Sequence, residues 1–544
     1  MKAITASPET IREIFSKKYT IPDFQRPYSW DNEPCEKLWD DIIDFHNQKK
    51  GKDDKYFLGN VIINPGPESA QGAWEVVDGQ QRLTTLLLLI KALHLHAGTV
   101  KALEECLRIK DPLTSELTDE IRVVSFAISE DKENLHSVIL NNFDNIPKCN
   151  LLSNFELFRS KIDEWWTDNG QSAEALHSFI LVLLDNVVLL PIHCDSEDDA
   201  LTIFETINNR GMSLSDADIF KAKLYHNTPQ GKQGAFIEEW NALTYHDWLF
   251  RVLMHIVRAK AGDSSKEIGM RSFFTTIANP LHDSTNTLTS LKIINAIGNE
   301  WYGNDEINSL WGIMNTYPNY YWNFPLFVFL HKYGVFDDTT NEFELAEDYA
   351  EQFLDLLKAT VRYFFIKGIV HNSVNAVRDT VYRVCVSIEK EKDWLADYSA
   401  HISKSDCHQF SISIKTNQLK RYQRGIVLLS AYLNPHQNKK EFSAFVSSKY
   451  DIEHILPKKW NNYDGWTDDL WEEKLNTLGN LIPLTKSQNI AAKNEFFDKK
   501  KKVYKKSSIR DAQDLLDILE WTPEALEAKH NEKVIRLKTY FQIE

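Results

Sequence analysis

Pro457 places the tightest constraint on how this chain can fold. It closes the run Asp451-Ile452-Glu453-His454-Ile455-Leu456-Pro457, which is strand-like in composition from Tyr450 to Leu456, and a proline has no N–H with which to continue a central ladder. A strand therefore ends beside an acid and a histidine. A second short strand is expected over Asn480 to Leu484, within Leu478-Gly479-Asn480-Leu481-Ile482-Pro483-Leu484, after a glycine turn. Thr485 is a suitable N-cap for a helix from about Lys486 to Phe497, which carries Gln488-Asn489. The order is strand, loop, strand, helix, with polar residues at the seams. Neighbouring strand residues point to opposite faces, so Glu453 and His454 can serve one centre only if the backbone turns or bulges there.

These residue types suit phosphodiester cleavage, which needs a base to activate water, a hard divalent cation on the phosphate oxygens and a group to aim the base. His454, Glu453 with Asn489, and Asn480 fit those roles in that order. The segment resembles the ββα-metal (HNH-type) nucleases, specifically the variant in the C-terminal domain of GmrSD-type modification-dependent restriction endonucleases. The likeness rests on Glu/Asp-His-Ile-x-Pro, Leu-Gly-Asn-Leu and a terminal Asn. Carried over by position, it implies His454 as general base, Asn480 as the residue orienting it, and Glu453 and Asn489 as ligands of Mg2+ or Mn2+. Asn489 stands where the name-giving motif ends in histidine.

At 544 residues the chain has room for about three domains. A composition 43% hydrophobic and 12% aromatic is that of a folded chain rather than a disordered one. Apolar runs such as Leu86 to Ile90 are far too short to span a membrane, and Met1 to Pro8 has no apolar signal core. A cytoplasmic protein without membrane partners is expected. The six cysteines, Cys35, Cys106, Cys149, Cys194, Cys385 and Cys407, form no Cys-x-x-Cys pair, which argues against a zinc ribbon or a disulfide framework. A net charge of -16 excludes a protein that coats nucleic acid indiscriminately. Any DNA contact is then local, and Lys499-Lys500-Lys501-Lys502-Val503-Tyr504-Lys505-Lys506, just after the proposed metal helix, is the candidate for backbone contact.

Near the N-terminus, residues 8–16 suggest a short helix and Lys18 to Ile21 a strand entering Ile21-Pro22-Asp23-Phe24-Gln25-Arg26-Pro27-Tyr28-Ser29-Trp30. Two prolines and the aromatics around Gln25-Arg26 make a stiff turn that presents the arginine in a defined direction. A helix over Glu33 to Gln48 and strands over Tyr56 to Ile63 and Trp74 to Val77 follow, the last delivering Asp78-Gly79-Gln80-Gln81-Arg82 to an apolar helix over Leu83 to Leu95. Such a strand-to-helix junction favours an anion: the first N–H groups of the helix are unpaired, Gly79 allows close approach, and Arg82 is a forked cation. No Gly-x-x-x-x-Gly-Lys-Ser/Thr occurs, so a P-loop is excluded. A third segment runs from a strand over Leu189 to Cys194 through a helix to Asn208-Asn209-Arg210-Gly211, and Ser215 caps the helix after it.

The Gln-Arg-Pro-Tyr-x-Trp turn, the Asp-Gly-Gln-Gln-Arg junction and Phe-Glu-x-x-Asn-x-Arg-Gly-x-x-Leu-x-x-x-Asp resemble the N-terminal domain of the same GmrSD-type family, which looks like the ParB/sulfiredoxin nucleotide-binding fold. The resemblance spans roughly residues 10–225 and 415–510 and implies a nucleotide-binding, nucleotide-hydrolysing sensor fused to a DNA nuclease. Gln25, Arg26, Asp78, Gln80, Gln81 and Arg82 would form the nucleotide site, with Asn208 and Arg210 as neighbours. Arg26 and Arg82 would neutralise phosphates, Asp78 would hold magnesium or cap the helix, and a glutamine would position water.

Between these parts the pattern is helical, as over Phe155 to Trp166, Trp248 to Arg258, Phe343 to Tyr363 and Val374 to Lys390. Its aromatics, Trp301, Trp311, Tyr317, Tyr320, Tyr321, Trp322 and Phe324, suit a helix core or interface far better than a base pocket. The expected fold is α+β and predominantly helical, with an N-terminal ParB-like domain over 1–225, a helical middle over 226–414 and a ββα-metal nuclease domain over 415–544. The expected activity is that of a metal-dependent DNA endonuclease or nickase of the type IV restriction, anti-phage kind, acting on modified foreign DNA and regulated by GTP or ATP. Cutting both strands from one active site calls for a homo-oligomer or rebinding. The rival reading is a nucleotide-dependent DNA-binding or regulatory protein whose nuclease-like domain is catalytically silent.

Overall fold

The structure, a computed structural model, describes residues 5–543 apart from 50, 52, 67–71, 127–128, 144–145, 195–214, 275–279, 300–302 and 374. Its architecture is α+β and predominantly helical, as the sequence pattern implies. The chain divides by its contacts into two compact units, Met1–Glu239 and Trp240–Glu544. The helical middle and the C-terminal strands both fall in the second of these units.

The first unit is built on a mixed sheet. Its strands are β1 (Thr5–Ala6), β2 (Glu9–Thr10), β3 (Tyr19–Ile21), β4 (Tyr56–Pro65), β5 (Trp74–Asp78), β6 (Val123–Ser125) and β7 (Val187–His193). They lie in the order β1-β7-β4-β5-β3-β6, with β2 also on β7. β4 runs parallel to β7, and β3 parallel to β5 and β6, while β4 and β5 are antiparallel. Between the strands run α1 (Asn32–Gln48), α2 (Gln80–Ala97), α3 (Ser129–Ile139), α4 (Asn150–Asp168) and α5 (Ala173–Asn186). α2 is the core element: Leu83, Leu86, Leu87, Leu88, Leu89, Ile90 and Leu93 are all fully buried, as expected of a helix that is apolar on nearly every face. α6 (Asp216–His226) begins at Ser215, which forms a reciprocal capping box with Asp218.

In the second unit the run Phe343 to Tyr363 is not one helix. A hairpin of β8 (Gly334–Asp337) and β9 (Glu342–Leu345) precedes a helix, α7 (Glu347–His371). Asn341 turns at φ 58°, and Phe343 is buried between exposed Glu342 and Glu344, a period of two that the helical pattern further on conceals. The middle aromatics are largely core: Tyr317, Trp322 and Phe324 are buried, and Trp311 packs on Trp322, Phe327 and Phe353. Trp301 lies outside the described residues. β10 (Tyr450–His454) and β11 (Leu481–Thr485) form an antiparallel pair followed by α8 (Lys486–Ala492). The expected continuation to Phe497 breaks at Lys493, whose φ is 51°, and a separate helix, α9 (Phe497–Tyr504), starts there. The last helix is α10 (Pro523–Phe541).

Candidate active site and N-terminal cleft

The β10–β11 pair is regular to its end, with Glu453 opposite Ile482 and His454 opposite Leu481. Beyond it the ladder is carried on by Asn480. Its carbonyl accepts from Ile455 N at 2.9 Å, its side-chain Oδ1 accepts from Leu456 N at 2.6 Å, and its Nδ2 donates to Leu475 O at 2.7 Å. A fully buried amide thus stands in for a backbone group just before Pro457, which has no N–H to offer. Asn480 holds the loop; its side chain makes no hydrogen bond to the His454 ring.

That contact belongs to Asn476, whose Oδ1 lies 3.0 Å from His454 Nε2. A carbonyl oxygen can only accept, so Nε2 carries the proton and the lone pair is on Nδ1, which is buried and has no partner. Asn476 is anchored in turn, since Asn417 Nδ2 and Gln423 Nε2 both donate to its backbone carbonyl. Burial depresses the His454 pKa to about 4, with Asn476 opposing and Lys458 and Lys500 adding to the fall. The imidazole is neutral at pH 7.

Glu453 faces the other way. With no bulge in β10, its side chain enters the core, where Lys500 Nζ donates to its Oε1 at 2.6 Å and Tyr504 OH lies 3.4 Å from the same oxygen. Lys500 Nζ also donates to His454 O at 2.6 Å, tying α9 to the end of β10. Burial raises the Glu453 carboxyl and lowers the Lys500 ammonium, the usual response of a charge taken out of water. The expected pairing of Glu453 with Asn489 on one cation is therefore not formed. Asn489, half-buried on α8, has no side-chain partner among the described residues. A hard cation prefers carboxylate and carbonyl oxygens, and no cluster of three potential ligands among His, Cys, Asp and Glu occurs in the described residues. As the side chains stand, they do not fit a resident cation unless Glu453 exchanges Lys500 for it.

The lysine run also needs sorting. Lys499, Lys502, Lys505 and Lys506 are exposed and Lys501 is half-buried, but Lys500 is only 1% exposed and cannot meet a DNA backbone. The spacing Phe497, Lys500, Tyr504 marks the buried face of α9, a signal that the repetition of lysine masks.

In the first unit Gln80 and Gln81 are clamps on the proline turn. Gln81 Oε1 accepts from Ser29 N at 2.8 Å and its Nε2 donates to Pro27 O at 3.0 Å; Gln80 Nε2 donates to Arg26 O at 3.2 Å. Gln25 Nε2 donates to Val77 O at 3.2 Å. Two residues not singled out from sequence complete the brace: Asp131 accepts from Tyr28 N at 2.7 Å, and Asn154 donates to Trp30 O at 2.8 Å. Asp78 ends β5, and Gly79, at φ 93°, starts α2 with no side-chain cap. A Cβ at Gly79 would lie 3.1 Å from Val61 Cγ2 and 3.3 Å from Asn60 O. Arg82 turns away from the proline turn, donating from Nη1 to Asn60 O at 2.8 Å, and burial lowers its pKa. Arg26, Tyr28, Gln80, Gln81, Ser125 and Asp131 line a narrow cleft with room for about one water-sized group. Asn208 and Arg210 lie outside the described residues.

Two family models match the chain: "GmrSD restriction endonuclease, N-terminal domain" over residues 11–225 and "GmrSD restriction endonucleases, C-terminal domain" over residues 404–532. The chain is also similar to an uncharacterized protein of Methanocaldococcus jannaschii, 22% identical over 242 residues, which span 40% of this chain and 41% of that protein.

Proposed function

The chain belongs to the GmrSD restriction endonuclease family, and from that premise we propose that its second unit hydrolyses DNA phosphodiesters at His454 while its first unit binds a nucleoside triphosphate that regulates cutting. The observation that carries the nuclease reading is the pairing of a neutral His454 with Asn476 at the end of β10, which leaves Nδ1 as the proton acceptor. His454 would take the proton of the attacking water through Nδ1, and Asn476 would hold the ring and stabilise the imidazolium that results. Asn480 keeps the loop after β10 in place, and the exposed lysines of α9 and its end neutralise the DNA backbone. Modified foreign DNA is the proposed substrate. Magnesium or manganese is the cofactor that the HNH likeness implies.

The rival reading, a regulatory protein with a silent nuclease-like domain, draws on one observation: the only acid of the motif pair, Glu453, is bound to Lys500. Plasmid nicking by the purified chain separates the two readings. The assay is run with and without magnesium or manganese, on modified and unmodified DNA, with and without ATP and GTP, alongside His454→Ala. Cleavage by the wild type that falls at least a hundredfold in His454→Ala, in line with the loss of a general base, supports the nuclease. Nucleotide binding without any cleavage moves the conclusion to the regulatory protein.

A further inference from the structure

Resting on the nucleotide-binding reading above, we infer that the cleft between the Gln25–Trp30 turn and the first turn of α2 receives a neutral group of the nucleotide that both donates and accepts a hydrogen bond, a sugar hydroxyl or a base edge, and not a phosphate. Two polar atoms carry the argument. Gln80 is 6% exposed, and because its amide nitrogen donates to Arg26 O at 3.2 Å the orientation of the amide is fixed. Its Oε1 is then a buried acceptor with no partner. Arg26 Nε is a buried donor with no partner on the same cleft. Buried polar atoms are nearly always paired, so the cleft asks for one donor and one acceptor together. A phosphate offers acceptors only and would face the Gln80 oxygen.

The surroundings point the same way. The Asp131 carboxylate, which accepts from Tyr28 N at 2.7 Å, lines the cleft as well. Ile21, Leu135 and Leu151 supply an apolar wall, and with room for about one water-sized group the cleft takes a single hydroxyl or ring edge rather than a whole sugar or base. The phosphates are left to the start of α2, where no side chain caps the helix.

The test is calorimetric binding to the full-length chain with magnesium present, comparing ATP and GTP, their 2′- and 3′-deoxy forms, purine riboside triphosphate and inorganic tripolyphosphate. The variants are Arg26→Lys, which keeps the charge but loses Nε, and Gln80→Leu, each checked for folding by circular dichroism. Both variants are expected to bind the preferred nucleotide about tenfold or more weakly, as for the loss of a buried hydrogen bond, with tripolyphosphate unaffected. On the wild type, a loss confined to a deoxy form identifies the sugar hydroxyl, and a loss with purine riboside identifies the base edge. Tripolyphosphate binding as tightly as the nucleotide, or weakening in step with it in Arg26→Lys, would make Arg26 a phosphate ligand and overturn the assignment while sparing the nucleotide reading. Failure of the folded wild type to bind any of these ligands overturns both.

Discussion

His454 is aimed by one side-chain hydrogen bond, and that bond makes its titration testable. With its pKa depressed to about 4 by burial, cleavage should be insensitive to pH near neutrality and fall only as pH drops through about 4. In Asn476→Asp a carboxylate faces Nε2 and favours the imidazolium, so the acid limb should move up by about one to three units; Asn476→Ala should lower kcat without that rise. Single-turnover nicking across the acid range reads both, and an unchanged limb in Asn476→Asp would mean that Asn476 does not face the base. The depressed pKa also sets a sign for stability. The unfolded histidine takes its proton near 6.5 and the folded one only near 4, so stability held above pH 6.5 is lost as pH falls toward 4. Lys500 makes a second residue-scale prediction. Its removal leaves the Glu453 carboxylate, 6% exposed at the side chain, without its cation, and Lys500→Met should cost about 3–5 kcal/mol in urea unfolding, with most of it regained in Lys500→Met/Glu453→Gln. If Lys500→Met is instead as stable as wild type and changes the magnesium dependence of cleavage, Glu453 is a metal ligand.

At the scale of elements, β10, β11 and α8 were legible because each has a local cause: Pro457 ends one strand, Gly479 turns into the next, and Thr485 forms its capping box with Gln488. What each polar side chain meets was not legible, because it depends on elements far along the chain. Strand alternation stated the condition for Glu453 to join His454, and the absence of a bulge decided it. Asn476 sits in an irregular loop where no periodicity gives it a direction. The Leu-Gly-Asn turn depends on α10 in the same way. Lys533 Nζ donates to Leu481 O at 2.6 Å and Leu478 O at 3.2 Å, and a Cβ on Gly479 would come within 2.4 Å of Leu526 O. Glycine is required there by close approach. Gly479→Ala must push α10 off the turn that carries Asn480, so it should destabilise the unit by about 1–3 kcal/mol and reduce nicking. Thermal unfolding with native stability and full activity would show that the turn does not depend on this packing.

Across the whole molecule, the sequence carried the fold class and the order of its parts, while the division into units at Glu239 and Trp240 depended on contacts among helices whose partners periodicity cannot name. Charge is the property that acts at this scale. With a net charge of -16 the chain repels DNA over most of its surface, so binding has to be concentrated where cations are exposed. The four exposed lysines at 499, 502, 505 and 506 are such a place, whereas Lys500 is buried in its ion pair. The ion pair of Lys499 with Glu495 leaves Lys499 74% exposed and is weak enough to yield to a phosphate. Each lysine that neutralises a phosphate contributes about one unit to the dependence of log K on log salt. Replacing all four by glutamine should therefore flatten that slope by about three to four units and weaken binding similarly on every sequence, since backbone contacts carry no base information. Fluorescence anisotropy of a labelled duplex with the His454→Ala chain, expected to hold DNA without cutting it, measures the slope directly. A slope that does not change in the quadruple variant would place the DNA backbone elsewhere on the molecule, and the exposed lysines that follow β10 in the chain, Lys458 and Lys459, would be the next to replace.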